Sequence, residues 1–212
     1  MKSKYFSEFL GTAFLFCTVV GSGIMGQNLS SNDSLTLLAN TLATVFALYF
    51  LITIFGDHSS HFNPVVSMVM LVRKEISTQV CTVFIILQIS GAILGVMLAN
   101  YIFELDPVYF SEKPRSGTHL FVSEILATFG LLMVILLSSK AKVAVTVAAY
   151  IGAAYWFTSS TSFANPAGTI GRSFSNTFAG ISTNDILHFC VAQIIGAFLA
   201  IIVYRTFFES QK

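Results

Sequence analysis

Two Asn-Pro pairs, Asn63-Pro64 and Asn165-Pro166, hold two of the four prolines in the chain. Their residue types point to non-covalent chemistry. Asparagine is a favoured helix N-cap, and proline is favoured at the first helical position, where its missing N–H has no intrahelical partner to lose. Each pair therefore opens a helix, within His61-Phe62-Asn63-Pro64-Val65 and Phe163-Ala164-Asn165-Pro166-Ala167. The asparagine amide has an oxygen that can cap its own helix and an NH₂ that can donate to the oxygen of a passing molecule. After Asn63 the chain stays apolar for about nine residues before Arg73, which makes a half-helix of about 14 Å. Two such helices meeting tip to tip would each aim roughly half a positive elementary charge at a shared midplane. That field opposes cations, hydronium included, and leaves neutral molecules free to pass.

Other polar residues in apolar surroundings come in matched sets. Glu8 with Thr12 answers to Glu124 with Thr128, and Gln88-Ile89-Ser90-Gly91-Ala92 answers to Gln193-Ile194-Ile195-Gly196-Ala197, 105 residues later. A carboxylate inside an apolar span is costly unless hydrogen-bond donors surround it. Gln88 and Gln193 suit interhelical hydrogen bonding, and Gly91 and Gly196 suit close helix contact. His58 and His61 lack the further ligands a metal needs, so the residues call for neither a metal nor a cofactor. No Ser/His pair, HExxH or pair of aspartates sits within the apolar stretches, which argues against an enzyme. Cys17, Cys81 and Cys190 are widely separated, with no CxxC spacing, and read as buried packing residues.

The elements that must position these residues are membrane spans. Hydrophobic residues make up 55% of the 212, charged residues only 10%, and mean hydropathy is +0.78, so most of the chain faces lipid or a lipid-buried core. A net charge of +1 leaves no basic excess for nucleic acid. Stretches long enough to cross a hydrocarbon layer, about 20 helical residues, lie near 6–26, 35–56, 77–103, 120–139, 143–161 and 186–208. Lys2, Lys4, Arg73, Lys74, Lys140, Lys142, Arg205 and Lys212 then fall on one side, and Lys113, Arg115 and Arg172 on the other, which predicts cytoplasmic termini and a cell-membrane location. Residues 1–104 form a first repeat with three spans and the half-helix from Asn63. Residues 105–119, with two prolines and several charges, form an external connecting loop, and 120–212 form a second repeat with the half-helix from Asn165. An odd number of spans per repeat inverts the second relative to the first. The fold class expected is an all-α membrane protein of six transmembrane helices plus two re-entrant half-helices.

The chain resembles the aquaporin family, also called major intrinsic proteins, over nearly its full length. The resemblance rests on the two Asn-Pro turns, the span-opening Glu8 and Glu124, and the pairs Gln88/Gly91 and Gln193/Gly196. It implies a passive channel for water and small neutral solutes, a homotetramer with one pore per subunit, and central turns Asn63-Pro64-Val65 and Asn165-Pro166-Ala167. Val65 stands where the family has alanine. The resemblance also implies that Glu8, Glu124 and His61 brace the loops leading to the half-helices.

In the family, four positions line an outer selectivity filter, and an arginine follows the second Asn-Pro-Ala. Here that place is Gly168; the resemblance assigns Ser162, Ala153 and Thr44 to the other three, a filter with neither an aromatic ring nor a charge. Arg172, four residues on, shares Gly168's helix face one turn farther out and places a positive charge at the mouth. The displaced arginine is similar to a bacterial subgroup that includes metalloid-permeable channels. The expected cargo is thus water with glycerol-like polyols, urea or arsenous acid. Two alternatives stand beside it: a water-selective channel, and a secondary transporter, since inverted repeats with broken helices also build transporters.

Overall fold

The computed structural model describes residues 2–209, so Lys212 lies outside the described residues. Its helices are α1 (Lys2–Leu29), α2 (Asp33–Phe55), α3 (Pro64–Val72), α4 (Thr78–Ile102), α5 (Thr118–Leu137), α6 (Val143–Phe157), α7 (Pro166–Arg172) and α8 (Ile186–Phe207). Among the described residues there are no strands, only an isolated bridge between Tyr109 and Ser175. Five helices are long and apolar enough to span a membrane, and α6 is a shorter apolar helix of 15 residues. The long helices end where their sequences allow: Asn32 and Ser77 cap α2 and α4 with side-chain acceptors.

Two tight helix pairs make the frame, and one glycine in each sets the spacing. A Cβ on Gly91 of α4 would meet the Phe9 carbonyl oxygen of α1 at 2.5 Å, and one on Gly196 of α8 would meet that of Ile125 in α5 at the same distance. Backbones this close leave no room for a side chain, so dispersion contacts run the length of each pair. Residues 9 and 13 of α1 pair with 91 and 95 of α4, so these two helices run parallel. The start of α1, the start of α4 and the end of α8 therefore share one end of the bundle, where Arg205 donates to the Val72 carbonyl at the end of α3. Beyond α7, Phe174 accepts from Asn100 at the far end of α4. α3 and α7 thus run from the middle of the bundle to opposite ends. The main core gathers Phe16, Val20 and Leu51 with Ala127, Ile151 and Tyr155 between them. Cys81 is buried, whereas Cys17 and Cys190 are only half-buried; all three are free thiols.

Candidate functional site

The tips of α3 and α7 are stitched to each other. Asn63 Oδ1 accepts from Val65 N–H at 3.1 Å, and Asn165 Oδ1 accepts from Ala167 and Gly168 N–H at 3.0 and 3.2 Å, so each amide oxygen caps its own helix. Each amide nitrogen donates across the junction: Asn63 Nδ2 to the Ala164 carbonyl at 2.7 Å, Asn165 Nδ2 to the Phe62 carbonyl at 2.8 Å. An NH₂ has two hydrogens, so one on each asparagine is left for another acceptor. Phe62 and Ala164, just before the asparagines, both adopt left-handed backbone, with φ of 49° and 46°. Such geometry costs about 1–3 kcal/mol in a non-glycine residue and persists only where its surroundings impose it.

The carboxylates impose it. Glu8 Oε1 accepts from His61 N–H at 2.7 Å and from the Ser59 hydroxyl, and its Oε2 accepts from Phe62 N–H at 2.8 Å and Gln88 Nε2 at 2.7 Å. Glu124 holds the other loop the same way, accepting from Phe163 and Ala164 N–H at 2.9 Å each and from Gln193 Nε2 at 2.7 Å. Both carboxylates and both glutamines are fully buried. Four donors on one acid and three on the other satisfy the oxygens that burial takes from water.

Around these tips lies a cavity of about 180 Å³. Asn63 and Asn165 line its middle, His61, Met70 and Val143 line it toward the chain termini, and Thr44, Tyr155, Ser162, Phe163 and Arg172 line it toward the opposite end. Most of the remaining wall is aliphatic, from Leu48, Ile52, Val66, Val147 and Ile151 among others. Pro64, Val65 and Ala167 are buried without lining it; Val65 packs beside Val69, Leu132 and Ala200, so its extra bulk is spent in the core.

Two of the four filter positions read from the sequence need correction. Ala153 is on the exposed surface of α6. The cavity face of that helix is Val143, Val147, Ile151 and Tyr155, a spacing of four, and Ala153 lies two residues out of phase. Gly168 faces α1: a Cβ there would collide with the Phe16 ring, and Phe16 itself lines the cavity. The ring of α1 fills the space a side chain at 168 would take. Thr44 and Ser162 do line the cavity, but the wall they share is neither bare nor uncharged. Tyr155 is buried with its hydroxyl 3.1 Å from Thr44 Oγ1, and Arg172 is buried with its guanidinium carbon 3.3 Å from the centre of the Phe163 ring. Arg172 Nε donates to the Ala179 carbonyl; among the described residues its terminal nitrogens have no protein partner. No residue-type pattern marked Tyr155 or Phe163, whose exposure to the cavity depends on helix rotation and on the loop path.

The connecting loop reaches the same mouth. Tyr109 and Ser111 N–H donate to the Phe174 and Ser173 carbonyls, Ser182 N–H to that of Lys113, and Arg115 N–H to Asp185 Oδ2 at 2.7 Å. This strap brings the Arg115 guanidinium within 4.8 Å of the Phe163 ring centre and lets Lys113 Nζ donate to the Phe178 carbonyl. Burial, then repulsion from Arg115 and Arg172, lowers Lys113 to about 8, and burial lowers Arg115 to about 10. Among the described residues none of these three cations is within 4.0 Å of a carboxylate oxygen.

Similarity to known proteins agrees with this geometry. The structure superimposes on the X-ray structure of the aquaglyceroporin from Plasmodium falciparum with a TM-score of 0.74, covering 99% of this chain and 97% of that one at 21% sequence identity, a likeness of fold. In sequence it is 45% identical over 203 residues to the aquaglyceroporin AqpS of Rhizobium meliloti, covering 94% of this chain and 87% of the relative. The profile of the major intrinsic protein family matches residues 1–158. With three-quarters of its length matched to that profile, two buried carboxylates holding two Asn-Pro turns tip to tip, and a cavity running past both, the chain belongs to the major intrinsic protein family.

Proposed function

We propose that this multi-pass membrane protein is a passive channel through which water and small uncharged solutes such as glycerol move past the two asparagine tips. The observation that carries the reading is the cavity itself. Its walls are largely aliphatic, and its few polar groups are spaced along its length: Arg172, Thr44 and Ser162 at one mouth, the asparagines in the middle, His61 toward the other end. A polyol passing the Arg172 mouth meets guanidinium N–H donors for its hydroxyl oxygens and the Tyr155 and Phe163 rings for its carbon backbone. Neutral metalloid hydroxides such as arsenous acid present oxygens in a similar way, and we include them, with urea, in the solute class. The name of the Rhizobium relative supports a range beyond water alone.

Exclusion of cations follows from the two helix tips, each aiming roughly half a positive elementary charge into a cavity that neither Glu8 nor Glu124 lines. The excess of Lys and Arg at the end carrying the chain termini supports a cytoplasmic position for that end in a cell membrane. The exposed apolar faces of the bundle suit lipid and neighbouring subunits of a homotetramer. A water-selective channel is the second reading, favoured by the Arg172–Phe163 contact that fills part of the mouth. Stopped-flow measurements on proteoliposomes separate the two: shrinkage followed by re-swelling in glycerol, urea or arsenite is the expected result, and water flow without re-swelling in any of them would leave the water-selective reading.

A further inference from the structure

We propose that His61 is a fixed hydrogen-bond donor in the half of the pore near the chain termini, its Nε2–H tautomer held by a buried relay from Glu8 through Gln88 and Ser67, and that this donor sets the preference for oxygen-rich solutes. The inference rests on the channel reading above for its functional part.

The relay has a single consistent direction. Glu8 Oε2 is an acceptor, so the Gln88 group facing it at 2.7 Å is the NH₂. The second N–H of that NH₂ donates to Ser67 Oγ at 2.9 Å. Ser67 is fully buried, and its hydroxyl has one hydrogen to place. The remaining partner of Ser67 Oγ is His61 Nδ1, 3.0 Å away. If Nδ1 carried the proton, the serine hydrogen would be left with no acceptor in a sealed site. That favours Nδ1 as acceptor by about tenfold or more. A neutral imidazole with Nδ1 accepting carries its proton on Nε2. His61 lines the cavity, and among the described residues no protein group bonds Nε2. That N–H is therefore the group a solute meets.

The other half of the pore shows the alternative wiring. There Gln193 Nε2 donates to Thr169 Oγ1 at 3.0 Å, but the Thr169 hydroxyl is also placed to donate back to the Asn165 carbonyl at 2.9 Å. Phe163 takes the place of His61, so no proton is handed to the cavity wall. The hydroxyl of Ser67 makes no such return to the Asn63 carbonyl, although both residues sit one helical turn apart.

Solid-state NMR of the full-length protein, labelled with ¹⁵N-histidine in liposomes and assigned against His61→Phe, reads the tautomer directly at about pH 8, where an ordinary imidazole is neutral. The expected result is one population with protonated Nε2, a mixture in Ser67→Ala, and return of the single form in Ser67→Thr. In the same vesicles, glycerol flux relative to water should fall about three- to tenfold in Ser67→Ala and recover in Ser67→Thr. A wild type protonated on Nδ1, or a Ser67→Ala variant with tautomer and flux ratio both unchanged, overturns the proposal. Should Ser67→Ala not fold, the wild-type spectrum still decides it. Wild-type vesicles that pass no glycerol would defeat the channel reading for polyols, while the tautomer spectrum would continue to test the relay.

Discussion

The two halves of the pore are built to one plan and finished differently. Around Asn63, Glu8 gathers four donors, Ser67 passes its hydrogen to His61, and the wall beyond is aliphatic. Around Asn165, Glu124 gathers three donors, Thr169 turns back on its own helix, and the wall beyond carries Phe163, Tyr155 and Arg172. What the halves share is the means of holding a strained turn: a left-handed residue whose N–H goes to a buried carboxylate and whose carbonyl accepts from the opposite asparagine. What differs is what faces the solute. The scaffold thus draws on backbone N–H and carbonyl groups while side chains line the cavity, even within single residues such as His61 and Phe163.

Breaking the shared part should have the largest effect. Glu8→Leu strands four donors and Glu124→Leu three, each unpaired buried donor costing about 1–3 kcal/mol. Both variants should lose folded protein in thermal unfolding in detergent, Glu8→Leu the more severely; equal, mild losses would mean that the carboxylates do not hold the turns. Next come Asn63→Asp and Asn165→Asp, which place an anion between the helix tips. Cation conductance of proteoliposomes should rise in both, and unchanged ion exclusion would count against the electropositive midplane.

Smaller effects sharpen the contrast at the Arg172 end. Arg172→Ala removes a cation stacked on Phe163 and the free guanidinium donors, so polyol flux should fall about tenfold while folding changes by about 2 kcal/mol or less. Gly168→Ala should destabilise by about 1–3 kcal/mol through collision with Phe16, and pairing it with Phe16→Leu should recover part of that loss. The smallest is a pH effect. Lys113 titrates near 8 in the folded chain, below its ordinary 10.5, so the folded state binds fewer protons than the unfolded one between those values. Stability should therefore rise as pH increases from about 8 to about 10.5, and Lys113→Met should flatten that slope in pH-dependent unfolding.

How much of this could be read from the sequence follows the same division. The Asn-Pro turns, the two glutamates and the two glutamines were legible because charged and amide groups are rare in apolar spans, and rare groups in matching order need partners. The spans themselves came within a few residues of the helices, except that α6 stops at Phe157, where Thr158 turns to extended backbone and the chain heads for Asn165. The mouth was legible only in part: Thr44, Ser162 and Arg172 line it, and Ala153 and Gly168 do not. The family resemblance assigns Ala153 and Gly168 by position along the chain, whereas which side chains face the cavity depends on helix rotation and on which neighbour already fills the space. Tyr155 lies two residues from Ala153, and Phe16 comes from a helix more than a hundred residues away in sequence. Arg115 sits in a loop whose strap to Ser182 and Asp185 no local pattern announces.

The exchange of amide hydrogens between the tips also governs when the molecule can assemble. Asn63 finds its acceptor in Ala164, 101 residues downstream, and Phe62 finds its donor in Asn165. A nascent chain that has delivered only its first three spans has a half-helix whose tip is unfinished, with the Phe62 carbonyl awaiting a partner still to be synthesised. The permeation path is consequently a late product of biogenesis, completed only once the second tip arrives, and separately expressed halves should conduct only after they have found each other in the bilayer.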